Sequence, residues 1–265
     1  MNQRDRHQYI LESIQRNASV RAEDLASALD VSIATIRRDF SSLEDHGRLL
    51  RTYGGAVTAP SSTEQSFQQR TTAHQEAKNR IAIAVLPMLL AAKSVILDAG
   101  TTTACLAERI PSNQSLLVVT NGLNIMDELR YREHVELVAL GGAFRRKSQA
   151  FLGDAGFEQL SKLHVDVCFL GAFGLDPAVG ITSPTESSAT LKTRMVAAAQ
   201  HTYILADTSK FHKSFAHVSP LEGRITVVTD RQPTEVEVER MASRGWALLI
   251  AGTAEGADRD NRGHS

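Results

Sequence analysis

Residues 31–47 read VSIATIRRDFSSLEDHG and predict a short helix that follows a turn. Ser32 is a favourable N-cap and Gly47 a favourable residue just beyond a C-terminus, so the helix is expected to run between them. Apolar side chains recur at helical spacing along one face, at Ile33, Ile36, Phe40 and Leu43. With successive side chains about 100° apart, Arg38 lies almost opposite that face and is expected to point into solvent.

The segments on either side complete a small domain over residues 1–58. Two amphipathic stretches come first, with apolar faces formed by His7, Ile10, Leu11 and Ile14, and then by Ala22, Leu25, Ala26 and Leu29. Three short helices with a tight second turn are typical of a helix-turn-helix. After Gly47 the run RLLRTYGGAV alternates, which predicts a two-stranded wing that carries Arg48 and Arg51 beside the third helix.

The exposed side of the third helix has the shape that a DNA major groove requires. Its first side chains are small or hydroxylated, which permits close approach, and two arginines stand behind them. The predicted DNA-binding residues are Ser32, Ala34, Thr35, Arg37, Arg38, Ser41, Arg48 and Arg51. The alternative to DNA binding is an ordinary exposed helix whose two arginines are solvated. Net charge does not distinguish these two interpretations, because residues 1–58 carry eight basic and eight acidic side chains. The conjunction of turn, exposed face and wing favours DNA binding.

The same residues resemble a known signature. VSxxTIRRDxxxLExxG followed by R-x-Y-G-G-A is similar to the N-terminal signature of the DeoR family of bacterial transcriptional regulators, over nearly all of residues 4–57. The resemblance implies a winged helix-turn-helix that binds a double-stranded DNA operator. The chain departs from the family pattern at Phe40, where Leu is usual, at Tyr53, where His is usual, and at Arg21, where a Ser or Thr cap is frequent.

The pattern changes after residue 58. Residues 59–75 lose apolar periodicity and are rich in Ser, Thr and Gln, which predicts a linker. Over residues 76–252, helical patterns alternate with the β-rich runs SVILD, LLVVT, VELVAL, VCFLG, TYILA, ITVVTD and WALLI. This alternation predicts a larger α/β domain of Rossmann-like type, with a largely parallel sheet covered by helices on both faces. Residues 253–265 are polar and are expected to be a disordered tail.

Polar residues cluster where these predicted strands end. Ligands of parallel α/β sheets collect at the carboxyl ends of the strands, so these residues are expected to converge on one pocket. The predicted pocket residues are Asp98, Gly100, Thr101, Thr102, Thr103, Asn121, Gly141, Gly142, Arg145, Glu186, Lys192, Asp207 and Lys210. Each cluster alone is compatible with an ordinary turn or helix cap. Together they suit a ligand with a phosphate at one end and several hydroxyl groups at the other.

The family resemblance extends over this second region, roughly residues 76–250. ILDAGTTT, VVTNGLN, LGGAFR, ITSPTESSATLKTRM and ADTSKF are similar to the effector-binding domain of the same family. That domain is related to ribose-5-phosphate isomerase and coenzyme A transferases, and it senses phosphorylated sugars. The resemblance implies that Gly100–Thr103 bind phosphate and that Asp98, Asn121, Lys192 and Lys210 line the pocket. Phe173 replaces a small or polar residue and is expected to narrow it.

Two classes of function compete on these observations. The favoured one is a transcriptional regulator, by family resemblance a repressor of a carbohydrate operon, with no catalytic residue, metal or cofactor. The alternative is a sugar-phosphate isomerase with an accessory DNA-binding module; it needs a carboxylate base, and Glu186 and Asp98 are its only reasonable candidates. A nucleotide-binding protein is disfavoured because neither GxGxxG nor GxxxxGKS/T occurs.

The totals of the chain set further expectations. It has 265 residues, a formal net charge of −1 and two distant cysteines, which are expected to be reduced core residues. No apolar run approaches the ~20 residues that span a bilayer, and the start resembles no signal peptide, so a cytoplasmic protein is expected. A single three-helix reader touches few base pairs, so at least a dimer is expected, with the family implying a dimer or tetramer.

Overall fold

The computed structural model describes residues 2–17, 19–45, 49–52, 54–58 and 64–252. Contacts divide the chain into two compact units, Met1–Glu64 and Gln65–Ser265. Gly47, Arg48, Tyr53 and the predicted tail at 253–265 lie outside the described residues.

The first unit contains the predicted helix-turn-helix. Its helices are α1 (Gln3–Asn17), α2 (Ala22–Leu29) and α3 (Ile33–Asp45). Its strands are β1 (Ser19–Arg21), β2 (Leu49–Thr52) and β3 (Gly55–Thr58), which form an antiparallel sheet in the order β1-β3-β2. The predicted wing is β2 and β3, whereas the third strand, β1, was not predicted. Arg21 precedes α2 without a side-chain cap hydrogen bond, as its departure from the family pattern suggests.

The apolar face of α3 forms the centre of this unit. Ile36, Phe40 and Leu43 are buried against α1 and α2. The prediction for Ile33 was wrong, because its side chain is 39% exposed. Ile33 is the first residue of α3, and no preceding helical turn covers it.

A buried ion cluster fixes α1 against α3. The Asp39 carboxylate accepts hydrogen bonds from the Arg6 guanidinium at 2.7 and 3.1 Å, and it lies 3.1 Å from His7 Nε2. His7 therefore serves as a polar partner of Asp39 and does not belong to the apolar face predicted for α1. The Asp39 side chain is almost wholly buried. The Arg6 guanidinium therefore offsets the free-energy cost of removing the carboxylate charge from water.

The second unit is built on one large sheet. Its helices are α4 (Phe67–Thr72), α5 (Gln75–Ala91), α6 (Thr101–Ala107), α7 (Leu123–Leu129), α8 (Asp154–Leu160), α9 (Glu186–Ala197) and α10 (Glu235–Ser243). Its strands are β4 (Ser94–Leu97), β5 (Leu116–Thr120), β6 (Val135–Ala139), β7 (Ala143–Arg145), β8 (Ala150–Leu152), β9 (Val165–Gly171), β10 (Gly174–Asp176), β11 (Gly180–Ser183), β12 (Ala199–Leu205), β13 (His217–Ser219), β14 (Ile225–Thr229) and β15 (Trp246–Ile250).

All seven predicted strands belong to this sheet, in the order β15-β14-β12-β9-β4-β5-β6. Every pairing in it is parallel. Alternate side chains of a strand enter two apolar cores, as β4 illustrates: Ile96 packs with α8–α10, whereas Val95 and Leu97 pack with α5–α7. The predicted α/β fold is confirmed, with a helical layer on each face of the sheet.

Smaller elements surround the strand ends. The strands β7 and β8 form a hairpin, and β10, β11 and β13 form a three-stranded antiparallel sheet. The sequence patterns predicted neither, because these strands have only three or four residues each.

Part of the predicted linker is helical. Helix α4 lies inside residues 59–75, and the second unit begins at Gln65 rather than at residue 76. Ser66 caps α4 by accepting from the Gln69 amide at 3.2 Å, and the Gln69 side chain accepts from the Ser66 amide at 2.9 Å. This reciprocal capping box explains how a segment without apolar periodicity becomes helical.

Candidate functional site

The first candidate site is the exposed face of α3. Ser32 caps the helix, with its Oγ accepting from the Thr35 amide at 3.1 Å. Arg37 and Arg38 are both exposed one turn further on, as predicted. Ala34 is exposed beside them and leaves space for a close approach of bases.

The wing adds another arginine to this face. The Arg51 guanidinium in β2 donates to Ser41 Oγ on α3 at 2.8 Å, and the Arg51 amide donates to Glu44 Oε1 at 2.9 Å. The Ser41 hydroxyl in turn donates to the carbonyl of Arg37 at 3.1 Å. These contacts place the predicted residues of helix and wing on one surface.

The second candidate site lies where β4 leads into α6. The first amides of a helix have no intrahelical acceptor, so those of Thr101–Thr103 are available to an anion. Two predicted residues shape this loop: Thr103 Oγ1 donates to the carbonyl of Asp98 at 2.7 Å, and Asn121 Oδ1 accepts from the Ala99 amide at 2.8 Å. Both side chains are buried, so they hold the loop in place instead of facing the cavity beside it.

A buried ion pair forms one wall of the site. Lys192 Nζ in α9 donates to the Asp98 carboxylate and to the carbonyl of Gly171 at 2.6 Å. The Asp98 carboxylate also accepts from the Gly171 amide at 3.1 Å. The Lys192 and Asp98 side chains are only 4% and 5% exposed, and their charges cancel. This pair joins the ends of β4 and β9 to α9.

A second lysine comes from the end of β12. Lys210 Nζ lies 3.9 Å from Asp207 Oδ2, while Asp207 Oδ1 caps the short 3₁₀ turn Thr208–Lys210 by accepting from the Ser209 amide. Burial lowers the pKa of Lys210 below its ordinary value of 10.5, the Asp207 carboxylate opposes this shift, and the Arg70 guanidinium adds to it. Binding of an anion would relieve this unfavourable burial of positive charge.

These walls enclose a small cavity of about 20 Å³, which holds about one water molecule. It is lined by Arg70, Ala99, Gly100, Thr101, Thr102, Gly171, Ala172, Phe173, Lys192 and Lys210. Five predicted residues are among them, and Phe173 lies there as expected from the sequence. Sequence reasoning missed Arg70, although Ser66 and Gln69 match the pattern of a capping box and could have indicated the helix that carries it.

Eight predicted residues do not line this cavity. Four of them contact residues that do, namely Asp98, Thr103, Asn121 and Asp207. The sheet order explains three of the other four. Gly141 and Gly142 follow β6, the edge strand, which is separated from β4 by β5, and Arg145 lies in the hairpin beyond them. Gly142 has φ of +139°, and a Cβ there would lie 2.4 Å from the Leu152 carbonyl oxygen, so the hairpin requires this glycine. Glu186 faces a separate groove of about 520 Å³ between α9 and β13, which Arg194 also lines.

Two sequence profiles match the chain. The profile described as DeoR-like helix-turn-helix domain covers residues 6–62, and the DeoR C terminal sensor domain covers residues 73–231. The HTH-type transcriptional repressor GlcR of Bacillus subtilis (strain 168) is 31% identical over 260 residues, 97% of this chain and 100% of that protein. The glycerol-3-phosphate regulon repressor of Escherichia coli (strain K12) is 28% identical over 88% of this chain and 93% of its own length.

Among solved structures, ribose 5-phosphate isomerase A from Methanocaldococcus jannaschii is 16% identical over 53% of this chain and 56% of its own. The TM-score is 0.39. Within the residues that the structure describes, no helix has the length and apolar character needed to cross a membrane.

Proposed function

Since the chain belongs to the DeoR family of transcriptional regulators, we propose that it represses a carbohydrate-metabolism operon and that a phosphorylated sugar sets its affinity for the operator. The first unit supplies the operator-binding surface through Arg37, Arg38 and Arg51. The second unit supplies the effector site. A repressor meets its operator where the chromosome lies, so we expect the protein in the cytoplasm of a prokaryotic cell.

One observation supports the effector proposal above the others. Three cationic side chains, those of Arg70, Lys192 and Lys210, line a cavity whose floor is the start of α6. Asp98 neutralises Lys192, but the cavity keeps an excess of positive charge that suits a phosphate dianion. A relative named as a glycerol-3-phosphate regulon repressor is consistent with an effector of this chemical class.

The isomerase alternative is not favoured by the geometry or by the relatives. An isomerase base must be an unpaired carboxylate within reach of the sugar carbon that loses its proton. Asp98 is bound to Lys192 and to the Gly171 amide, and Glu186 faces the separate groove beside Arg194. The related proteins are named as regulators of transcription, and we place this chain with them.

A thermal-shift panel tests the effector proposal. We expect a phosphorylated sugar at ~100 times its dissociation constant to stabilise the protein by about 2.7 kcal/mol. For a domain of about 200 residues this raises the melting temperature by roughly 5–10 °C. The panel contains glycerol 3-phosphate, glucose 6-phosphate and fructose 6-phosphate, each beside its unphosphorylated counterpart. If the phosphorylated and unphosphorylated compounds raised the melting temperature equally, the proposal of a phosphate site at the start of α6 would be refuted.

The assembly of the chain is a separate proposal. We propose a homodimer or homotetramer, because one α3 helix reads few base pairs and specific operators present half-sites about one helical turn apart. Analytical ultracentrifugation of the full chain at micromolar concentration should give at least a dimer. Sedimentation as a monomer, both alone and with operator DNA, would contradict this proposal.

A further inference from the structure

Arg70 occupies a special place in the effector site. It lies in α4, the first helix of the second unit, which begins in chain order shortly after the boundary between Glu64 and Gln65. Its guanidinium lies over the ring of Phe173, 5.0 Å from the ring centroid, and donates to the carbonyl of Lys147 at 3.3 Å. Helix α4 thus supplies a wall of the cavity through Arg70.

The cavity is narrow in this conformation. Its volume of about 20 Å³ corresponds to one water molecule, so the displacement of one wall would widen it for a phosphate group. The wall formed by Lys192 and Asp98 is buried and joined to the Gly171 backbone. The wall at Ala99 is held by buried Asn121. Neither is suited to open.

Helix α4 is less buried than these two walls. None of its six residues is buried. Lys78 in α5 holds it by donating to the carbonyls of Arg70 and, at 3.2 Å, of Thr71. A short helix held through polar contacts, with little buried apolar surface, opens at lower cost than the core around it.

The charges around α4 also favour an anion between them. Burial lowers the pKa of Lys78 below its ordinary value of 10.5; Asp207 and Cys105 oppose this shift, and the charges of Lys210 and Arg70 add to it. Burial lowers the pKa of Lys210 in the same way, with Asp207 opposing the shift and Arg70 adding to it. Arg70 and Lys210 both line the cavity, and a dianion bound there would attract both cations.

We propose that α4 acts as a strap, a short segment that closes one side of the effector cavity. In this proposal α4 moves away to admit a phosphate ester and returns when Arg70 binds the phosphate group. This inference rests on the proposed function and adds the route by which the effector acts. Because α4 is the first helix after the boundary between Glu64 and Gln65, a movement of α4 acts on the part of the second unit that joins the first unit in the chain. Arg70 therefore both binds the effector and transmits its presence to the operator-binding unit.

Four variants test the strap: Arg70→Gln, Arg70→Lys, Lys210→Gln and Arg130→Gln. Arg130 is the matched control, because its exposed side chain pairs with Asp127 on α7, away from the cavity lining. Inorganic phosphate, glycerol 3-phosphate, glucose 6-phosphate and fructose 6-phosphate serve as probes. We expect Arg70→Gln to weaken the binding of a responding probe about tenfold, Arg70→Lys to weaken it less, and Arg130→Gln to resemble wild type.

The decisive readout is the response of operator affinity at saturating probe. With Lys210→Gln, a higher probe concentration should restore the wild-type response, since that variant only binds more weakly. With Arg70→Gln, the response should stay reduced even at saturation, because the strap no longer senses the phosphate. If Arg70→Gln regains the full response at saturation, α4 is not the transmitting element and the inference is overturned.

Hydrogen exchange gives a measurement on the wild-type chain. A bound probe should slow amide exchange in α6 and in α4, and Arg70→Gln should lose the effect in α4 while keeping it in α6. Protection confined to α6 in wild type would overturn the strap and leave the proposed function intact. If wild type binds no phosphorylated probe, the proposed function fails, and the strap fails with it.

Discussion

Replacing Arg37 and Arg38 together by Ala should weaken operator binding by at least about 100-fold. Both side chains are exposed on α3, while Ile36 before them and Phe40 after them are buried, so the change leaves the core untouched. A lost arginine contact to a base costs about 1–3 kcal/mol, and each 1.4 kcal/mol is about tenfold in affinity. The measurement is fluorescence anisotropy at fixed salt, with an operator selected from a random DNA library.

The matched control is Arg37→Lys together with Arg38→Lys. Lysine keeps the positive charge but not the planar fork that recognises guanine in a bidentate manner. This pair should retain much of the salt dependence of binding and lose discrimination between operator and random DNA. Operator affinity within twofold of wild type in the alanine pair would show that α3 does not read DNA through these residues.

Replacing Lys210 by Gln should weaken binding of the phosphorylated effector by about 100-fold, more than the loss of Arg70. The Lys210 side chain is 13% exposed, so its charge acts on a ligand with little screening by solvent. Its removal also leaves Asp207, whose Oδ2 lies 3.9 Å from Nζ, with one neighbouring cation fewer beside the phosphate. The loss of attraction by Lys210 and the stronger repulsion by Asp207 both lower the affinity for the phosphorylated effector. Isothermal titration calorimetry measures the change.

Lys213→Gln is the control for this prediction. Lys213 lies three residues further along, with Nζ 5.7 Å from the ring centroid of Phe215, and it does not line the cavity. It should therefore leave effector affinity near that of wild type. If Lys210→Gln and Lys213→Gln weaken binding equally, only the net charge of the surface matters and the cavity has been wrongly assigned.

The pH dependence of binding follows from the same lysine. Burial lowers the pKa of Lys210 in the free protein, and a bound dianion must raise it, so the complex takes up protons at alkaline pH. Affinity should thus be full below the pKa of Lys210 in the free protein and fall as the pH rises through it. Below about pH 6 affinity should also fall as the phosphate loses its second charge. Lys210→Gln should flatten the alkaline limb and keep the acidic one.

The sequence predicted the two folds well because their signals are local. Seven apolar runs gave the seven strands of the large sheet, and the spacing of Ile36, Phe40 and Leu43 gave the core face of α3. Apolar residues recur with the period of a helix or strand because one face of the element is buried. Helix α4 has no buried residue and therefore no such period, so the segment was predicted to be a linker.

The site was predicted in part because strand ends can be recognised before the order of strands is known. The structure brings Lys192 and Lys210 to one cavity, since both elements meet the centre of the sheet. Gly141 does not line that cavity, and nothing local shows that β6 is an edge strand. Glu186 does not line it either, because the start of α9 faces a different groove from Lys192, which is further along the same helix.

The most direct test of the central claim is a double titration that measures operator affinity at increasing sugar phosphate, and sugar-phosphate affinity with and without operator. We predict that a phosphorylated sugar which raises the melting temperature also lowers operator affinity at least about tenfold, and that operator DNA lowers the affinity for that sugar by the same factor, as linkage requires. An operator affinity that stays constant while the sugar phosphate saturates the protein would contradict the account.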